Sequence, residues 1–140
     1  MSRPLVADGL LTKSIAMPTG ASAVTTPGIP LDQTANGDFV AFCELEFTAP
    51  ALTTGMLGDA ATVIYAIVTG ASVDANGVIQ SPTVIANAVL TQTGAGGAGA
   101  ATSKKRFRLP TDVVGYVGVR ATKSASGDAS SVSLVAKLLF

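Results

Sequence analysis

Histidine and tryptophan are absent from this chain, cysteine occurs once, and only 13% of its 140 residues carry charge. Each absence excludes something. Without histidine the commonest general base and metal ligand is missing, so neither a Ser-His arrangement nor a histidine-rich metal site has any basis. Cys43 alone permits no internal disulfide, and the signature of an oxidising compartment is lacking, which favours folding inside a cell. Nine basic residues against nine acidic ones leave no net field to steer the protein toward nucleic acid or an anionic membrane. The opening Met-Ser-Arg-Pro-Leu-Val-Ala-Asp has no apolar run and carries Asp8 early, unlike a signal peptide. The long uncharged stretch from Ala75 to Ser103 is interrupted by Asn76, Pro82, Asn87 and several glycines, so it does not read as a membrane-crossing helix.

What is present is apolar and small. Apolar residues make up 48% of the chain, and 140 residues suffice for one domain that buries about two thirds of its unfolded surface. The pattern centres on Ala61 to Thr69, which contains β-branched and aromatic residues without charge, Gly or Pro. A run of this length is compatible with a piece of buried helix, but Val63, Ile64, Tyr65, Ile67 and Val68 favour the pleated conformation. It reads as a central strand that other strands and loops must cover.

Residues 1–38 carry Pro4, Pro18, Pro27 and Pro30 and several glycines, which cut the segment into short extended pieces. They read as an arm or a set of long loops, with edge strands at Leu10–Ala16 and Ser22–Thr26. From Phe39 to Phe47 apolar residues alternate with Glu44 and Glu46, as in a half-buried strand with Cys43 on its inward face. Asn76-Gly77 is a hairpin signal after the central strand. Further strands are expected at Val78–Gln80, Val84–Thr91, Lys105–Leu109, Val113–Thr122 and Val132–Phe140, with turns between them and no amphipathic helical period. The fold class is therefore all-β: a jelly-roll-like antiparallel β-sandwich of about eight strands with an extended N-terminal arm. It forms a single domain over 1–140, with the arm in 1–38 and the sandwich core in 39–140. The missing tryptophan and second cysteine argue against an immunoglobulin-type core.

Motifs with chemical meaning are few. Gly94, Gly96 and Gly99 match the spacing of a dinucleotide-binding turn, but β alternation returns after Pro110 where a helix is required, so the segment reads as a mobile loop. Lys104-Lys-Arg-Phe-Arg108 gathers four of the nine basic residues on one strand, with Phe107 and Leu109 inward and Arg106 and Arg108 outward. On a neutral domain this is a solvated face or a contact for an acidic protein surface rather than a nucleic-acid patch. Glu44 and Glu46, two apart on one face, read as solvent-exposed strand residues rather than a catalytic pair. The aspartates fall mostly beside Gly, Asn or Ser, where carboxylates cap turn amides, and they form no calcium loop. No catalytic residue, metal ligand or cofactor-binding residue is indicated.

Along its whole length, from Asp8-Gly-Leu-Leu-Thr-Lys-Ser-Ile15 through Phe39-Val-Ala-Phe-Cys-Glu-Leu-Glu-Phe47 to Val135-Ala-Lys-Leu-Leu-Phe140, the chain resembles the capsid cement proteins of short-tailed bacteriophages of the Bordetella phage type. That resemblance implies a jelly-roll-like protein on the outer surface of an icosahedral virion, made in the host cytoplasm, which clamps neighbouring major capsid subunits and associates as a homodimer. It implies no enzyme activity, no cofactor, and no nucleic-acid or membrane partner. The segments expected to contact capsid or a second copy are the arm, with Leu10, Leu11 and Ile15, the basic strand, with Lys104, Lys105, Arg106 and Arg108, and the C-terminal strand, with Leu139 and Phe140. On this reading, deleting residues 1–20 lowers shell occupancy. The alternative from another class is a carbohydrate-binding or other ligand-binding β-sandwich module, disfavoured because only Tyr65 and Tyr116 join the phenylalanines as aromatics.

Overall fold

Alternating and continuous apolar runs without helical period leave the chain one way to satisfy its backbone, namely lateral pairing of strands. A computed structural model describes residues 7–31, 44–110, 113 and 115–139, of which 7–10 are described as backbone alone. Nine strands lie in this part: β1 (Ala7–Ala16), β2 (Ala23–Thr25), β3 (Ile29–Pro30), β4 (Glu44–Ala49), β5 (Thr62–Gly70), β6 (Thr83–Thr93), β7 (Ser103–Arg108), β8 (Tyr116–Lys123) and β9 (Ser133–Leu139). They form two antiparallel sheets. The first has the order β1-β9-β4-β7, and the second the order β2-β8-β5-β6, with β3 also paired to β8. Apart from the β5–β6 hairpin and the β2–β3 pair, successive strands change sheet, which is the winding of a jelly roll.

The inner faces carry the core. Leu45 and Phe47 of β4 with Leu134, Ala136 and Leu138 of β9 meet Val63, Tyr65 and Ile67 of β5 and Val117, Val119 and Ala121 of β8, all fully buried. The Phe47 and Tyr65 rings lie 5.5 Å apart, tilted by 30°, a favourable offset arrangement. Tyr65 also solves the problem of a buried hydroxyl. Its Oη donates to Gln92 Oε1 at 2.6 Å, and Gln92 Nε2 donates to the carbonyls of Pro50 (2.9 Å) and Ala101 (3.0 Å). One side chain on β6 thereby fastens the second sheet to the chain leaving β4 and the chain entering β7. Burial pushes the Tyr65 phenol well above its ordinary value, so it stays a neutral donor.

The expected central strand is an inner strand of the second sheet, β5, flanked by β6 and β8. Its outer face is covered over only part of its length: Ala66 and Val68 are buried, whereas Ile64 is 36% exposed. The cover is the β5–β6 connection. Val73 and Ile79 form an isolated bridge, Gly77 N donates to Asp74 O, and Ile79 folds onto Gly70 and Gly118, where a Cβ on Gly70 would collide with it and one on Gly118 would crowd it. Val78–Gln80, expected as a strand, is reduced to the single bridge at Ile79, because it pairs only with Ser72–Asp74 of its own loop while the Ile79 side chain lies on the sheet. The hairpin turn around Asn76-Gly77 is present, with Gly77 at φ +81°.

The N-terminal segment supplies edge strands as expected, and it lies along the sandwich: β1 borders the first sheet, and β2 and β3 lie beside β8 at the border of the second. Leu11, Met17, Ile29 and Leu31 enter the core. Of the expected strand Phe39–Phe47, only the part from Glu44 lies among the described residues; Phe39 to Cys43, and with them the position of the single cysteine, lie outside.

Candidate interaction surface

On the outer face of the first sheet, strand register sets a row across four strands: Thr12 of β1, Lys137 of β9, Glu46 of β4 and Arg106 of β7. The cations flank the carboxylate. Arg106 Nε donates to Glu46 Oε2 at 2.8 Å, Lys137 Nζ lies 3.3 Å from Glu46 Oε1, and Arg106 also approaches Glu44 at 3.8 Å. The Glu46 side chain is 8% exposed against 56% for Arg106. The Arg106 hydrogen bond holds the Glu46 carboxyl below its ordinary value, aided by Lys137, and outweighs the opposing effect of burial. Glu46 is thus not the solvent-exposed residue that alternation suggested, because the flanking strands place a cation on each side of it. Nor does it pair with Glu44 as a catalytic dyad, since its oxygens are committed to Arg106 and Lys137.

The basic strand is β7, and it is the last strand of its sheet: β4 pairs with one edge, from Glu44↔Arg108 to Ala49↔Ser103, and among the described residues nothing pairs with the other. Lys104, Lys105, Arg106 and Arg108 are exposed on it, and Phe107 is half-buried inward. The remaining expected contacts are placed differently. Leu11 is buried in the core at 7% exposure, Leu139 is buried at 3% on the face of β9 that carries Lys137, opposite Glu44, and Ile15 is half-buried against the core. Leu11 and Ile15 are committed to the sandwich because β1 and β9 pair with each other, Ile15 opposite the buried Leu134. The side chain of Leu10 and the whole of Phe140 lie outside the described residues.

The glycine-rich segment before β7 is a docked loop rather than a mobile one. Gly94 exchanges backbone hydrogen bonds with Ala60 and Ala61, Leu52 exchanges two with Ala100, and Gly97 N donates to Asp59 Oδ1 at 2.9 Å. A Cβ on Gly94 would strike the backbone at Gly58, and one on Gly99, at φ +69°, the backbone at Leu52 and Thr53. Gly94 and Gly99 serve close backbone approach, and among the described residues no helix follows them. The capping role expected of aspartates holds for three: Asp59 accepts from Gly97 N, Asp74 from Asn76 N and Val78 N, and Asp128 from Ser130 N.

Sequence reading missed two polar residues. Lys137 sits amid the apolar Val132–Phe140 run, where its alternation with Ala136 and Leu138 was the only signal that it faces outward. Lys123, at the end of β8, is 2% exposed and donates from Nζ to the Gly127 carbonyl, closing the β8–β9 loop.

An open cleft of about 690 Å³ beside the ends of β5 and β6 is lined by Thr69, Ser72, Gln80, Thr83, Ile85 and Val113 among others, and none of its lining side chains among the described residues is charged. Among the described residues no three His, Cys, Asp or Glu side chains gather to hold a metal ion, and no helix is long and apolar enough to cross a membrane. No family model matches this chain, and no curated protein matches it.

Proposed function

We propose that this chain is a structural virion protein that binds the outside of an icosahedral phage capsid and cements neighbouring major capsid subunits, the role its sequence resemblance implies. The observation that carries this reading is where the polar groups are spent. Glu46 is engaged by Arg106 and Lys137, Gln92 by the backbone of the inter-sheet crossings, and Asp59, Asp74 and Asp128 by turn amides. What the sandwich offers outward is sheet edges and faces, a surface for a large protein partner rather than a pocket for a small molecule.

Two edges differ in kind. β7 is cationic and suits a capsid subunit. β6 runs for 11 residues without charge or proline, with Val84 42% exposed, and suits a second copy of the chain. The chain then occupies the outer virion surface after synthesis in the host cytoplasm, as a homodimer bound to the major capsid protein. The alternative, a carbohydrate-binding module, has less support: Tyr65 is buried and Tyr116 and Phe107 are half-buried, so the described residues present no exposed aromatic platform.

Cosedimentation with phage shells lacking the protein tests the reading over a range of salt. Saturable binding at a fixed ratio is expected, and no binding at any salt overturns it. Sedimentation velocity tests the dimer: Val84→Lys, placing charge on the β6 edge, is expected to shift the chain toward monomer.

A further inference from the structure

Among the described residues one edge of β7 is bonded to β4 and the opposite edge has no strand partner. Such an edge presents unpaired N–H and C=O groups, which an incoming extended chain satisfies by adding a strand. Three side chains say what that chain must carry. Lys104 and Arg106 project from the outer face, two residues apart, and Lys105 from the inner face, opposite Phe47, and all three are exposed. The carboxylates nearby are already used: Glu46 is held by both Arg106 and Lys137, and Glu44 is shared with Arg106 at 3.8 Å. Lys104 lies across from Thr48, and neither it nor Lys105 has an ion partner among the described residues.

We infer that the open edge of β7 binds an extended acidic segment of a partner protein by antiparallel or parallel strand addition, with carboxylates at alternate positions meeting Lys104 and Arg106. The inference rests on the shell-binding reading only for the source of that segment, a surface stretch of the shell subunit. A second copy of the chain is disfavoured as the occupant, because β7 against β7 sets cation opposite cation. Nucleic acid is disfavoured as well: the net charge is zero, two glutamates sit within the patch, and the strand's one aromatic, Phe107, faces inward. Strand addition adds backbone hydrogen bonds that do not depend on partner sequence, and the alternating charges supply register and selectivity.

The probe is a synthetic capped peptide alternating glutamate with valine, compared with a lysine–valine peptide and a single-stranded oligonucleotide, each titrated against the full chain. Expected is binding of the glutamate peptide alone, weakened about tenfold by Lys104→Gln with Lys105→Gln, together with slowed amide exchange confined to residues around β7. Binding without slowed exchange in β7, equal binding of the lysine peptide, or tighter binding of the oligonucleotide would overturn it. The same double variant in shell cosedimentation separates the two claims. Wild-type chain that sediments with shells, with the variant unchanged, sinks strand addition at β7 and leaves the shell reading. Peptide binding with β7 protection but no shell binding leaves strand addition and sinks the shell reading.

Discussion

Glu46 shows how a surface-patterned residue becomes structural. Its folded carboxyl is held below its ordinary value of 4.5. A depressed carboxylate adds stability that is fully present above that ordinary value and is lost as pH falls through the folded value. Glu46→Gln is therefore expected to cost about 1 kcal/mol at neutral pH, since Arg106 is more than half exposed and solvent screens the pair. The deficit should shrink in urea titrations as pH falls below the ordinary value and through the folded one, because the wild-type carboxyl then takes up its proton as well. A deficit that persists in acid would mean that packing, not charge, makes Glu46 count. Gln92 is the larger risk. Gln92→Leu leaves the Tyr65 hydroxyl and the carbonyls of Pro50 and Ala101 without their partners in a buried setting, at an expected cost of about 3 kcal/mol by chemical denaturation. Tyr65→Phe, which removes one hydroxyl and leaves Gln92 its two carbonyls, should cost about 1 kcal/mol. Neither partnership was legible in the sequence, because Gln92 and Tyr65 stand 27 residues apart and become neighbours only when β5 and β6 pair.

At the scale of elements, strand identity was largely legible and strand edges less so. Alternation in Glu44–Ala49 and β-branched density in Thr62–Gly70 specify strands locally, and both are strands. Val78–Gln80 satisfied the same local criteria and forms only an isolated bridge, because its partner is the short return of its own loop at Ser72–Asp74 while Ile79 is buried on the second sheet. That placement depends on glycines at 28, 70 and 118, whose absent Cβ atoms leave room for it. Ile79→Ala should destabilise the chain by about 3 kcal/mol through the lost burial and the hole that remains. Amide exchange should accelerate in residues 71–82 more than in β4 or β9. Uniform acceleration throughout would show that the loop is not a separate cap. The N-terminal strands make a further element-scale case. Removing residues 1–20 takes away β1, the outer neighbour of β9, together with the core residues Leu11 and Met17. The truncated chain is expected to lose several kcal/mol of stability, measurable as a fall in melting temperature before any shell is added. Reduced shell occupancy by such a truncation would therefore report folding as much as contact, whereas the exposed Lys104 and Lys105 test contact alone.

For the molecule as a whole, a protein that binds the assembled shell and not its dissociated subunits must stabilise the shell by mass action. Shells carrying it should release their contents at a higher temperature than bare shells, with a shift that grows with free protein concentration and shrinks as salt weakens the β7 contacts. An unchanged temperature at saturating occupancy would remove the cementing role while leaving attachment. The sequence by itself determined the class of the fold: residues without helical period, rich in β-branched side chains and punctuated by Gly and Pro, can bury their apolar faces only as paired, stacked strands. It also determined that no histidine-based chemistry is present, since that depends on residue types alone. Tertiary structure decided which strands became edges, where the glycine-rich loop docked, and that Glu46 and Lys123 are buried while Lys104 and Lys105 are not. The physical reason is range. Propensity and alternation act over a few neighbouring residues, whereas an edge, a docked loop or a paired charge is defined by which distant strand lies alongside, and that choice belongs to the whole chain packing at once.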